Sequence, residues 1–183
     1  RACQTFAGQV TVLATTPSTQ DLARAALNRL PLTPQAWLAE EQTAADGRRG
    51  EAFYSPQQTG LYFSLVLPLA APLRHPGLLT TGVAAAVSQV LGRFYPTANF
   101  QLKWVNDVYC RGKKVAGILT EAAIDLETQA PQAVAIGCGI NLTTADFPGA
   151  LATKAGGLGR AVDRNRLAAA LLDAITARAA DYQ

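Results

Sequence analysis

The chain has 183 residues, 49% of them apolar and 16% charged, with a formal net charge of +3. That is the profile of a single soluble globular domain, residues 1–183, with enough chain to bury a full core. Apolar runs fall short of the ~18 residues a membrane span needs, and charges of both signs are interspersed, so neither a membrane nor a nucleic-acid partner is expected.

Residues 1–10 lack a cleavable signal pattern. With no Met anywhere, Arg1 is not expected to be the natural start. Val10 to Ala14 reads as a strand. Ser18-Thr19 then offers a helix N-cap and Asp21 suits the positive helix start. Leu22, Ala25, Ala26 and Arg29-Leu30 follow at helical spacing until Pro31 and Pro34 close the helix. Ala36 to Glu40 is a second strand, followed by a polar loop from Gln42 to about Thr59. A loop of that length with Gly47, Gly50 and Pro56 is usually functional. The alternating, β-rich run Leu61 to Leu67 predicts an interior strand. Leu78, Leu79, Val83, Val87 and Leu91 mark a helix ending near Gly92. Phe100 to Trp104, Lys114 to Ala123 and Ala133 to Ile140 are further strands, and an Ala-rich helix begins at about Asp163. Trp37 and Trp104 are expected to pack against the strands they flank, with a wall beside the site as the second reading for Trp104. Together these elements predict an α+β fold, a mixed and largely antiparallel sheet covered by helices.

Cys3, Cys110 and Cys138 are scattered, without C-x-x-C spacing. This argues against a disulfide framework or a zinc site and for a reducing cytoplasm. Cys110 and Cys138 lie in apolar runs and read as small core residues. His75 precedes Pro76 without an acidic or thiol companion and reads as a surface or capping residue.

Three polar motifs interrupt the apolar runs. Gly47-Arg48-Arg49-Gly50 combines backbone freedom with forked donors, a pairing suited to a phosphate or an acyl phosphate. No Gly-Lys-Ser/Thr follows it, so it is not a Walker loop. Gly137-Cys138-Gly139 lacks the third glycine of a dinucleotide fingerprint. Its glycines let a ligand approach a strand end closely, and Asn141 adds an amide able to donate and accept. The densest group is Lys103-Trp104-Val105-Asn106-Asp107 followed by Lys114-Val115-Ala116-Gly117-Ile118-Leu119-Thr120-Glu121. It gathers Lys103, Asp107, Lys114 and Glu121 around one turn, where each needs a partner once desolvated. A lysine fixed by packing there acts as an aimed cation.

These motifs resemble the catalytic domain of the biotin–protein ligases, whose forms are K-W-P-N-D and K-x-A-G-I-L-x-E. The resemblance runs from about Thr15 to Ala179. Ser18-Thr19-Gln20 resembles S-T-N, whose hydroxyls meet the ureido ring of biotin, and Gln42 resembles the glutamine of the biotin pocket. Arg48-Arg49-Gly50 and Phe53-Tyr54-Ser55-Pro56 resemble the mobile loop that folds over the ligand. Lys114 matches the lysine that reaches the biotin carboxylate and the α-phosphate, Gly117 lines the pocket floor, and Asn141 matches the asparagine near adenine. The resemblance thus implies catalytic roles for Lys114, Lys103, Asp107 and Arg48. It implies a biotin site of Ser18, Thr19, Gln20, Gln42, Gly47, Arg48, Lys114 and Gly117, and an ATP site of Arg48, Arg49, Asn106, Lys114 and Asn141. Asp107 and Glu121 are left either orienting the lysines or approaching the metal or the incoming amine.

The implied reaction has two steps. The biotin carboxylate attacks the α-phosphorus of ATP, giving biotinyl-adenylate and pyrophosphate. A lysine of a biotin carboxyl carrier domain then attacks the mixed anhydride. Mg²⁺ enters with ATP, and no metal-ligand set of the protein's own is implied. There are departures: Asp46 stands where the family has an arginine, which predicts a leaky adenylate, and Val105 replaces the motif's proline. No helix-turn-helix precedes the domain and no small β-barrel follows it, so a repressor role is not expected. An exposed sheet edge allows a homodimer. Two alternatives stand beside the ligase: a lipoate or octanoate ligase or transferase of the same fold, and a non-catalytic biotin-binding paralogue.

Overall fold

The computed structural model describes residues 3–45, 47–125, 127 and 129–183, and of Arg49 the backbone alone. Among the described residues seven strands form one sheet: β1 (Gln9–Thr16), β2 (Gln35–Gln42), β3 (Gly60–Pro68), β4 (Phe100–Lys103), β5 (Asp107–Cys110), β6 (Lys113–Ile124) and β7 (Pro131–Asn141). Their order is β1-β2-β3-β7-β6-β5-β4. Only the β1–β2 pair is parallel. The expected mixed, largely antiparallel sheet is therefore present, and β3 is interior as its alternation predicts.

Helices α2 (Pro76–Phe94) and α4 (Arg164–Ala180) pack together over one face. Leu79, Val83, Val87 and Leu91 of α2 and Leu167, Leu171 and Ile175 of α4 meet Leu61, Phe63, Leu65, Ile136 and Ile140 in the main core. Strand side chains alternate between faces, so Val66 and Ala135 point the other way. There they pack on Ala23 and Ala26 of α1 (Thr19–Leu27), with Trp37 beside them. A short α3 (Leu151–Lys154) follows β7. No helix among the described residues is long and apolar enough to cross a membrane.

Local chemistry places the boundaries. Ser18 caps α1 by accepting from the Gln20 N–H at 3.2 Å, and Asp163 caps α4 by accepting from the Arg166 N–H at 3.0 Å. Both starts match the sequence reading; several ends do not. Helix α1 stops at Leu27 with Asn28 as its C-cap, and Leu30, 84% exposed, is not part of the helical stripe. Helix α2 continues through Gly92 to Phe94, because its buried stripe persists to Leu91 and open space surrounds Gly92. Strand β5 was not anticipated: its four residues begin inside the polar motif. It turns into β6 through Arg111 (φ 53°) and Gly112 (φ 74°), a two-residue reversal in which both residues occupy the left-handed region.

Candidate functional site

The α1 side of the sheet carries the site, because small residues there leave a trough. Strand register sets Ser64, Gly137 and Leu119 in one row, and Tyr62, Gly139 and Gly117 in the next. Helix α1 ends the trough on one side, and the loop 43–59 folds over it. Backbone bonds hold that loop down, Ala44 N–H to Pro17 O at 2.9 Å and Phe53 N–H to Ala45 O at 2.8 Å. The glycines are spaces for protein groups. A Cβ on Gly137 would lie 2.5 Å from Gln20 Oε1, and one on Gly139 would lie 2.5 Å from the Phe53 ring.

At the α1 end a chain of polar groups runs through the trough. Ser55 Oγ accepts from Gln42 Nε2 at 3.1 Å. Gln42 Oε1 accepts from the Thr19 backbone N–H at 2.8 Å and from Thr19 Oγ1 at 3.0 Å. Thr19 Oγ1 and Ser64 Oγ lie 2.9 Å apart, and Ser64 Oγ donates to Gln20 Oε1 at 2.9 Å. Gln20 Nε2 donates to Glu121 Oε2 at 2.7 Å, and Arg24 Nε faces both Glu121 oxygens at 3.0 and 2.8 Å. The hydrogen bond to Glu121 raises the Arg24 pKa. Ser18, Thr19, Gln20, Gln42, Gly47, Arg48, Lys114 and Gly117, the eight residues of the expected biotin set, all line this pocket. Its free volume is about 50 Å³ with the Phe53 ring in place, against the ~300–1,000 Å³ usual for ligand pockets.

Lys114 stands where the pocket opens outward. Its Nζ pairs with Asp107 Oδ1 at 2.7 Å and lies 6.0 Å from the Phe53 ring centre. Lys114 also lines two adjoining cavities. One, about 440 Å³, includes Arg48, Trp104 and Asn106. The other, about 490 Å³, includes Lys103, Asp107, Asn141 and Phe147. Asn141 is 2% exposed. Its Nδ2 donates to Gly156 O at 3.3 Å, while its Oδ1 is buried with no partner among the described residues. An unpaired buried acceptor costs on the order of 1–3 kcal/mol, so it marks a place for an N–H donor.

Other expectations need correction. Among the described residues Lys103 has no carboxylate counter-charge; it is exposed and its Nζ lies 5.5 Å from the centre of the Tyr109 ring. Glu121 does not orient either lysine, because register turns it toward α1 and into contact with Gln20 and Arg24. Asn106 uses its Nδ2 to donate to Ile118 O at 3.1 Å, tying the motif turn to β6. Trp104 is 69% exposed and not packed; it walls one of the two adjoining cavities with Arg48, Asn106 and Lys114, the second of its two readings. Asp46 and the side chain of Arg49 lie outside the described residues. The sequence reading missed Ser64 and Arg24. The signal for Ser64 was a small polar residue within the apolar run Leu61 to Leu67. Cys138 is buried and its thiol is pushed up to about 12, so it is no nucleophile.

The sequence profile of the biotin/lipoate A/B protein ligase family matches residues 12–141. The chain belongs to that family. It is 32% identical over 171 residues to the bifunctional ligase/repressor BirA of Bacillus spizizenii, covering 90% of this chain and 52% of that protein. It is 35% identical over 176 residues to the biotin–acetyl-CoA-carboxylase ligase of Mycobacterium tuberculosis, covering 93% and 64%. The chain thus spans between half and two thirds of these relatives. Among solved structures, the biotin protein ligase of Aquifex aeolicus in complex with biotin and ATP superposes with a TM-score of 0.72 at 28% identity, covering 93% of this chain and 69% of that one.

Proposed function

We propose that this chain is the catalytic unit of an ATP-dependent biotin–protein ligase. The observation that carries the reading is the position of Lys114. It borders at once the polar pocket of Thr19, Gln42 and Ser64 and the outer cavity lined by Lys103 and Asn141. A cation there neutralises two anions, a carboxylate arriving from the pocket and an α-phosphate arriving from the cavity.

The polar pocket takes the ureido head of biotin, and the glycine-floored trough takes its chain once the Phe53 ring moves aside. The carboxylate oxygen bonds to the α-phosphorus of ATP and pyrophosphate leaves. The ε-amine of a carrier-domain lysine then attacks the acyl carbon and AMP leaves. No protein nucleophile is required, only positioning and charge neutralisation. Asn141 Oδ1 accepts from the adenine amine, Arg48 meets phosphate oxygens, and Lys103 flanks the cavity mouth. Asp107 holds Lys114 in place until the anions arrive. No cluster of three or more His, Cys, Asp or Glu suited to a metal is present among the described residues. Mg²⁺ comes as Mg-ATP and keeps most of its waters. The partner is a biotin carboxyl carrier domain in the cytoplasm, and the open outer strands β1 and β4 leave an edge for a homodimer.

Two outcomes test the pocket. Gly137→Ala puts a methyl group against Gln20 Oε1. Biotin affinity measured by calorimetry is expected to fall about tenfold, the scale of one lost hydrogen bond, while the melting temperature stays within a few degrees. Unchanged affinity would show that the Gln20 amide has no part in the site. The loop 43–59 is expected to resist limited proteolysis when biotin and a non-hydrolysable ATP analogue are both present, because Phe53 must leave the trough and settle elsewhere. Equal cleavage with and without ligands would count against that movement. The direct assay is pyrophosphate release on adding biotin and Mg-ATP, with lipoate as the competing acid.

A further inference from the structure

We propose that Glu121 is a positioning residue for head-group selection. By holding the Gln20 amide nitrogen away from Ser64, it keeps the pocket floor short of one proton, so the floor favours a head group that brings N–H donors. This deepens the biotin reading above and rests on it.

The deficit follows from counting hydrogens. Thr19 and Ser64 own two hydroxyl protons, yet three contacts draw on them: Thr19 to Gln42 Oε1, Ser64 to Gln20 Oε1, and Thr19 to Ser64. Both amides present oxygen to the hydroxyls. Gln42 Oε1 faces inward because it also accepts from the Thr19 backbone N–H. Gln20 Oε1 faces inward because its nitrogen donates to Glu121. Whichever way the hydroxyls rotate, one of the three contacts carries no proton from within the group, and an acceptor there stays open. A ligand N–H supplies it; a head group without N–H cannot.

Glu121 is what prevents the chain from closing its own deficit. If the Gln20 amide turned over, its nitrogen would donate to Ser64, Ser64 to Thr19 and Thr19 to Gln42, and each contact would carry a proton. That turn would set Gln20 Oε1 against a carboxylate oxygen at the present 2.7 Å, acceptor against acceptor. Arg24, bonded to both Glu121 oxygens, holds the carboxylate in place. Gly137 leaves the space in which Gln20 Oε1 sits. Glu121 faces Gln20 from the far side of the amide, so its effect is transmitted and not direct.

The test uses the full chain as wild type, Glu121→Gln, Ser64→Ala and the double variant, with biotin and lipoate as ligands in calorimetry. In Glu121→Gln, Arg24 keeps the new amide's oxygen and turns its nitrogen toward Gln20, which then turns over. The biotin Kd is expected to rise about tenfold, with lipoate, whose dithiolane ring has no N–H, unchanged within twofold. KM for ATP is expected to stay within twofold. In the Ser64→Ala background, Glu121→Gln is expected to add less than twofold. An unchanged biotin Kd, an equal loss for biotin and lipoate, or a full tenfold effect without Ser64 would overturn the proposal. Should Glu121→Gln fail to fold, Gln20→Met removes the same acceptor and is expected to raise the biotin Kd about tenfold; an unchanged Kd there overturns it equally. Wild type that binds biotin but releases no pyrophosphate with Mg-ATP overturns the ligase reading alone, because head-group selection is read from binding. Wild type that binds no biotin overturns both.

Discussion

Lys114→Ala is expected to lower pyrophosphate release from biotin and Mg-ATP by about 10²–10³-fold, the usual cost of losing one preorganised electrostatic donor. The fold should hardly notice. The Lys114–Asp107 pair spans 2.7 Å, but 29% of the lysine side chain and 18% of the aspartate side chain are exposed. Solvent-screened pairs contribute roughly 0–1 kcal/mol. On the proposed role the catalytic loss is larger, because the lysine would meet two anions in a partly dewatered site and its removal would leave Asp107 as an uncompensated negative charge facing them. Lys114→Arg should recover only part of the rate, since a planar fork cannot replace a compact ammonium in a pocket of this size. Wild-type release in Lys114→Ala would make Lys114 a surface residue and remove the central support of the ligase reading.

Leu171→Ala is expected to act on the fold and not on the chemistry. Leu171 is fully buried where α4 packs on α2 and the sheet, on the face opposite the trough. Truncating a core leucine costs about 2–5 kcal/mol, part lost transfer energy and part cavity. For a chain of this length, that corresponds to a fall in melting temperature on the order of 10 °C. Pyrophosphate release per folded molecule at low temperature should remain near wild type. Thermal denaturation beside the rate assay checks both halves, and a rate loss matching Lys114→Ala would show that the two faces are coupled.

The sequence was informative where one physical rule dominates. Alternation in Leu61 to Leu67 marked β3, the capping group Ser18 marked the start of α1, and an Ala-rich run marked that of α4. The polar motifs stood out because buried polar groups in apolar runs need partners, and Thr19, Gln20, Gln42, Lys114 and Gly117 do converge on one pocket. What escaped depends on register between distant strands. Glu121 and Arg24 are 97 residues apart, and Ser64 and Gln20 are 44 apart; no local spacing pairs them. Which lysine Asp107 would orient was not legible either: the β5–β6 register brings Asp107 over Gly117 and its carboxylate onto Lys114. Strand β5 escaped because its four residues begin inside the polar motif, and helix α3 because one turn of four residues carries too little periodicity to read.

The most direct measurement follows pyrophosphate from this chain with Mg-ATP and either biotin or lipoate, and biotin incorporation into a carboxyl carrier domain added afterwards. The expected result is biotin-dependent pyrophosphate release, little release with lipoate, and biotin on the carrier lysine. Release that is absent with biotin, or that is greater with lipoate, would contradict the assignment.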